Sequence, residues 1–271
     1  MPTIDANGLQ IGYDVSGAGP PLILLHGATS LAARDFRGQL PALREGFRCF
    51  TPDARGHGRT RWDTAAAGFS ADWLADDVLA FADALELDTF HLLGFSLGGM
   101  TALRVAVRAS ARLRTLVVVG ISTEREPRAS VARRLMDPER IDQADPRWAA
   151  DLAARHDPGQ GTDAWRALLP AIAADVRNQT LLTARQVHAI DVPTLVAVGD
   201  RDPFVPVDHA WELSRSVLDG RLLVLPGAGH EAFAERPTIA MEALGAFYRS
   251  TEADARRRAG VSDQEPQEVT R

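Results

Sequence analysis

The chain of 271 residues predicts an α/β fold in which helices cover both faces of a mostly parallel sheet, with a helical segment inserted before the last strands. Three observations carry that expectation. Short β-rich apolar runs alternate with longer segments at helical spacing. The run Leu22-Ile23-Leu24-Leu25 has no polar alternation, as a strand buried on both faces requires. Between 121 and 187 no strong strand is present, and Pro127, Pro138, Pro146, Pro158 and Pro170 cut the segment into short helical pieces.

Taken in order, residues 11–15 form a half-buried opening strand, closed by the turn cluster Ser16-Gly17-Ala18-Gly19-Pro20. Strand 22–25 is followed by a helix over 36–43, a strand over 47–51 and a second helix over 73–87, with Leu74, Val78, Phe81 and Leu85 on one side. Strand 90–93 leads into a helix marked by Met100, Leu103, Ala106 and Val107, and strand 116–119 closes the first half. After the insertion come strand 193–199, helix 207–218, strand 221–225 and helix 238–248. The expected organisation is a discontinuous core, 1–120 and 188–250, a helical cap, 121–187, and a charged, frayed or disordered tail, 251–271.

Composition excludes several chemistries. Thirty basic residues against 36 acidic ones leave a net charge of -6, which argues against a phosphate-neutralising surface and hence against a nucleic-acid partner. Every basic residue is arginine, so Schiff-base, phosphate-loop and kinase-type lysine chemistry is absent. The single cysteine, Cys49, permits no intrachain disulfide and no cysteine-based metal site, and it falls in a buried strand as inert core. No H-x-x-x-H-type metal motif and no cofactor fingerprint is found, so no metal and no cofactor are expected. Residues 1–10 lack a basic start and an apolar stretch, and no apolar run nears the ~20 residues of a membrane span. A cytoplasmic chain without a membrane partner is the expectation.

The strongest chemical signal is Gly94-Phe95-Ser96-Leu97-Gly98-Gly99, lying between strand 90–93 and a helix. A strand-to-helix turn this sharp forces its central residue toward a strained backbone, and glycines two positions either side leave room for it. Ser96 is therefore the candidate nucleophile, with a helix N-terminus behind it to favour developing negative charge. A dinucleotide turn would need G-x-G-x-x-G, which this spacing breaks. A serine hydroxyl needs a base oriented by a third group. Strand 193–199 ends in a loop with two carboxylates, Asp200 and Asp202, and strand 221–225 ends in Pro226-Gly227-Ala228-Gly229-His230. Both loops leave the same edge of a parallel sheet as the Ser96 turn, in the chain order Ser, Asp, His.

Residues from about 5 to 250 resemble an α/β-hydrolase, closest to small cofactor-free members such as 3-oxoadipate enol-lactonase-like enzymes, esterases and perhydrolases. The pieces that carry the resemblance are His26-Gly27-Ala28, Asp53-Ala54-Arg55-Gly56-His57-Gly58, the Ser96 turn, 199–206, and Gly229-His230. The resemblance implies a mostly parallel eight-stranded sheet, Asp202 as the acid, and an oxyanion hole made by the backbone N–H groups of Ala28 and Leu97. Some relatives place the acid after the strand that here ends at Gly120, which would fall on Glu124. Trp148, Trp165, Phe204 and Phe233 are candidates for an apolar pocket wall, and Arg133-Arg134 for attracting a substrate carboxylate. His26 and His57 are read as loop-shaping residues, Asp53 and Arg55 as local hydrogen-bonding partners, and His91 as a core or edge histidine. The function expected is hydrolysis of a carboxylic ester or lactone of a small, largely apolar molecule. Carbon–carbon bond hydrolysis, perhydrolysis and ligand binding without turnover are the alternatives.

Overall fold

The computed structural model describes residues 2–63 and 69–258. Eight strands form one sheet: β1 (Thr3–Ala6), β2 (Leu9–Ser16), β3 (Pro21–Leu25), β4 (Arg48–Pro52), β5 (Phe90–Phe95), β6 (Leu113–Val119), β7 (Thr194–Gly199) and β8 (Gly220–Leu225). Their order is β1-β2-β4-β3-β5-β6-β7-β8. The β1–β2 and β2–β4 pairs are antiparallel and the remaining neighbours parallel. β1, which hydrophobic periodicity does not mark, is joined to β2 by the two-residue turn Asn7-Gly8, with Asn7 at φ 49° and Gly8 at φ 72°. Positive φ at both turn residues matches the right-handed twist of a hairpin.

The helices are α1 (Ala32–Asp35), α2 (Leu40–Gly46), α3 (Ala71–Ala84), α4 (Leu97–Ala109), α5 (Arg128–Leu135), α6 (Pro138–Ala144), α7 (Pro146–Gln160), α8 (Trp165–Asn178), α9 (Ala184–His188), α10 (Val207–Ser216), α11 (Ala232–Glu235) and α12 (Pro237–Arg258). On one face of the sheet Ile23, Leu92, Leu116 and Val196 pack against Val78 and Phe81 of α3, Leu103 of α4 and Leu213 of α10. On the other, Leu22, Leu24, Leu93 and Val117 meet Phe36, Leu43 of α2 and Leu244 and Phe247 of α12. Successive residues of β3 thus feed opposite cores, the physical reason its sequence shows no polar alternation. Each such side chain, fully buried, stabilises the fold by roughly 1.5–3 kcal/mol.

Three expectations are corrected. The helix over 36–43 is two short helices, α1 and α2, separated by a turn through Phe36–Gln39 in which Phe36 is buried; Pro41 starts the second rather than sitting inside a longer one. Pro158 and Pro170 do not divide the insertion: Pro158 lies in the last turn of α7, and around Pro170 the buried Leu168, Leu169 and Ile172 hold α8 together. Pro138 and Pro146 do act as helix starts, behind the capping carboxylates of Asp137 and Asp145. Finally α12 continues through 251–258 with Thr251 buried, so the start of the expected tail is helix; 259–271 lie outside the described residues.

After β3 the chain crosses to β4 on one side and later returns to β5 on the other. The carboxyl ends of β3 and β5 therefore flank the switch point where an open parallel sheet leaves a crevice. The loops after β3, β5, β6, β7 and β8 converge there.

Candidate active site

Ser96 caps α4 at φ 51°, ψ -113°, a backbone conformation that L-residues rarely adopt. The surroundings hold it there: Ser96 N–H donates to the Val119 carbonyl at 2.8 Å and the Met100 N–H donates to the Ser96 carbonyl at 2.9 Å. The flanking glycines are sterically required. A Cβ on Gly94 would lie 2.2 Å from the Gly98 oxygen, and one on Gly98 would lie 2.3 Å from the Leu25 oxygen.

His230 meets Ser96 from the β8 loop. Its Nε2 is 2.8 Å from Ser96 Oγ and its Nδ1 is 2.8 Å from Asp202 Oδ2. The Asp202 side chain is fully buried, and its Oδ1 accepts from the Phe204 and Val205 N–H groups at 2.8 and 3.2 Å. A carboxylate only accepts, and Oδ2 faces Nδ1, so Nδ1 carries the imidazole proton and Nε2 is left with a lone pair toward the serine hydroxyl. The ring lies between Phe95 and Phe204, with centroids 5.1 and 4.3 Å away. A Cβ on Gly120 would sit 3.2 Å from His230 Nδ1, so the end of β6 forms a bare backbone floor beneath the pair. Asp200 is exposed, with Arg201 3.9 Å away, and Glu124 is exposed; neither approaches His230 closely enough to form a hydrogen bond.

The loop after β3 packs beside the serine: a Cβ on Gly27 would come within 3.4 Å of Ser96 Cβ, and Gly98 N–H donates to the His26 carbonyl at 3.0 Å. Asp35 braces this loop, accepting from Gly27 N–H at 2.8 Å and from Ser30 Oγ at 2.5 Å. Among the described residues the N–H groups of Ala28 and Leu97 have no intramolecular acceptor, and both residues line the cavity that Ser96 and His230 open into. Two free donors beside a hydroxyl are what a developing oxyanion requires.

Behind the loop stand three buried imidazoles in edge contact, His26 with His57 at 4.9 Å and His57 with His156 at 5.3 Å between centroids. Each accepts a backbone N–H: His26 Nε2 from Ala54 at 2.9 Å, His57 Nε2 from Thr29 at 3.2 Å, His156 Nδ1 from Gly58 at 3.2 Å. An imidazole that accepts must be neutral. For two of them burial is the main cause, with lesser contributions from like charges: it lowers His57 well below the ordinary range and His156 to about 4. From the last two turns of α7, Arg155 donates to the Thr29 carbonyl at 2.5 Å and Gln160 Nε2 to the Gly58 and Thr60 carbonyls at 3.0 and 2.8 Å. Asp53 bonds locally, to Arg59. Arg55 instead forms a bidentate pair with Asp77 of α3 at 2.7 and 2.9 Å. His91 bonds Thr115 at 2.8 Å on the neighbouring strand.

The cavity comprises about 470 Å³ of empty space counting its mouth, lined by Leu97, Met100, Ile121, Met136, Ile172 and Phe204, with Arg128, Asp175 and Gln179 among them. Of the aromatic residues expected in its wall only Phe204 is there. Trp148 and Trp165 pack with Ile141, Leu152 and Leu169 inside the α6–α8 cluster, and Phe233 belongs to the core beneath α12. Arg133 and Arg134 are exposed on α5, whose buried side presents Ala129 and Ala132. Among the described residues no three His, Cys, Asp or Glu side chains are grouped to hold a metal ion, and no helix is long and apolar enough to cross a membrane.

A family model described as alpha/beta hydrolase matches residues 22–243. The chain belongs to the alpha/beta hydrolase family. As an alpha/beta hydrolase it is similar to the 2-hydroxymuconate semialdehyde hydrolase of a Pseudomonas species, 27% identical over 93% of this chain and 95% of that protein. It is also similar to 3-oxoadipate enol-lactonase 1 of Acinetobacter baylyi, 27% identical over 78% of this chain and 82% of that one. Among solved structures, a meta-cleavage product hydrolase from Pseudomonas fluorescens superposes with a TM-score of 0.76 at 22% identity, covering 92% of this chain and 98% of the other; it shares the fold. The residues of this alpha/beta hydrolase that sequence reasoning missed are Asp35, His156, Gln160, Arg128 and Asp175. His156, Gln160, Arg128 and Asp175 reach the site across a long stretch of chain, and Asp35 bonds the loop from a one-turn helix that no periodicity marks.

Proposed function

We propose that this alpha/beta hydrolase cleaves a carboxylic ester or lactone of a small molecule through an acyl-enzyme on Ser96. The observation that carries the reading is the single imidazole of His230 bridging Ser96 Oγ and the buried Asp202 carboxylate, 2.8 Å to each. In the first half-reaction Ser96 Oγ attacks the carbonyl carbon while its proton passes to His230 Nε2. The tetrahedral oxyanion accepts from Ala28 and Leu97 N–H, and Asp202 holds the imidazolium in orientation. Collapse breaks the bond to the leaving oxygen, which takes the proton from Nε2. Water then gives a proton to Nε2 and attacks the acyl carbon, and the second collapse returns that proton to Ser96 with release of the acid. The helices α5 and α8 roof the cavity, which favours small substrates over polymers.

A second reading, carbon–carbon bond hydrolysis with the same three residues, draws on the nearly full-length likeness to a semialdehyde hydrolase, whose named substrate contains no ester. Incubation with a fluorophosphonate probe and p-nitrophenyl esters tests the first reading. Wild-type protein is labelled and turns over; Ser96→Ala loses both, by roughly 10⁶-fold in rate. A wild-type protein that is labelled yet hydrolyses no ester, lactone or thioester would refute it.

A further inference from the structure

Arg128 lines the same cavity as Ser96 and His230 and is only 6% exposed, yet Nε, Nη1 and Nη2 are all buried without a hydrogen-bond partner. A guanidinium carries five donors and keeps its charge, so leaving it unpaired away from water is costly. Its cationic neighbours are occupied. Arg104 donates to Asp72 at 3.0 Å, to Gln179 at 3.1 Å and to the Thr180 carbonyl at 2.6 Å. Arg125 donates to the carbonyls of Val176, Arg177 and Gln179. The anion facing Arg128 is Asp175, which lines the same cavity; among the described residues no ion pair within 4.0 Å joins the two, and Asp175 Oδ2 is likewise buried without a partner. Burial, the largest influence on Asp175, raises its pKa, against the Ala71 backbone hydrogen bond and the charges of Arg104 and Arg128, which lower it.

Resting on the hydrolase reading above, we infer that Arg128 is the subsite for a substrate carboxylate, so that the substrate is an ester or lactone bearing a free carboxylate a short apolar span from the scissile carbonyl. A carboxylate matches the planar fork of a guanidinium with two parallel N–H bonds. The span between packs against apolar residues of the same cavity, among them Met100, Ile172 and Val176. The exposed Arg133 and Arg134 are left without that role.

Two measurements test it. The first compares kcat/KM for p-nitrophenyl monoesters of succinate, glutarate and adipate with the corresponding methyl diesters. The free acid is preferred in the wild type by about 100-fold or more, since a site built to bond a charged group rejects an analogue lacking it. Arg128→Met reduces that preference at least tenfold, and Arg128→Lys, which keeps charge but not the fork, reduces it less. In Asp175→Asn the preference persists or rises, because the arginine loses the one anion that faces it; its disappearance would overturn the assignment. The second measurement needs neither turnover nor a folded arginine variant: calorimetry of monomethyl glutarate against dimethyl glutarate on the Ser96→Ala protein. Binding of the monoacid at least tenfold tighter supports the subsite. Equal affinity, or wild-type kcat/KM that does not distinguish acid from diester, overturns it while leaving the hydrolase reading intact. Absence of both labelling and turnover defeats the hydrolase reading, and calorimetry still decides the subsite.

Discussion

Replacing Asp202 by asparagine removes one oxygen acceptor from a fully buried site and substitutes an NH₂ group. The amide has two placements. With its oxygen toward His230, its NH₂ faces the Phe204 and Val205 N–H groups, now 2.8 and 3.2 Å donors without an acceptor. Two unsatisfied buried donors cost about 2–6 kcal/mol. With the oxygen retained by those two N–H groups, the NH₂ faces His230 Nδ1, 2.8 Å away, and Nδ1 must become the acceptor. The ring proton then moves to Nε2, which is the smaller cost, so this arrangement prevails. Nε2–H cannot accept from Ser96 Oγ. The base is lost with the backbone undisturbed, and the expected fall in kcat is about 10⁴-fold, or about 5 kcal/mol in the barrier. Asp200→Asn, at an exposed loop position, stays within a few-fold of wild type. The assay is the initial rate of p-nitrophenyl acetate hydrolysis, with thermal unfolding run in parallel to show that both variants are folded. A folded Asp202→Asn protein within tenfold of wild type, or a large fall in Asp200→Asn, would refute the tautomer argument.

Gly98→Ala places a Cβ 2.3 Å from the Leu25 carbonyl oxygen, backbone that cannot swing aside. The expected cost is about 3–5 kcal/mol and a drop in Tm of about 10 °C, and a calorimetric Tm equal to wild type would contradict the close approach. His156 is pushed down to about 4 by burial, so between an unfolded value of about 6.5 and that folded value the unfolded chain binds a proton that the native chain does not. The stability this neutral ring contributes is present above about pH 6.5 and falls by up to 1.4 kcal/mol per pH unit, on the order of the linkage slope for one proton, as the pH drops toward 4. His156→Gln should flatten the decline of Tm from pH 7 to 4.5 by that one proton; an unchanged slope would show that His156 does not contribute to it.

How much of the site was legible depended on whether a residue's role is local. Ser96 stands out because two glycines and a strand–helix junction announce a sharp turn within a few residues, and His230 because it follows a strand into a glycine-rich loop. Asp202 needed the family resemblance, since Asp200 is equally acidic and only the direction of each side chain separates them. The aromatic residues of the insertion were misplaced for a related reason: Trp148 and Trp165 are apolar at helical spacing, which says that they are buried but not against what. The hairpin at Asn7-Gly8 was missed, although its turn chemistry is the signal that could have found it; β1 is too short for periodicity to register.

By itself, the amino-acid sequence determined the α/β class, the position along the chain of every strand but β1, and the presence of a hydroxyl, an imidazole and a carboxylate at the ends of three of them. These follow from patterns of burial and backbone freedom, which act over a few residues. Only the tertiary structure decided that Arg128 and Asp175 share the cavity with Ser96, that α7 braces the loop after β4 through His156 and Gln160, and that Arg55 pairs with Asp77. Such contacts join residues from 22 to 100 positions apart, and packing of whole elements, rather than any propensity of the residues concerned, brings them together.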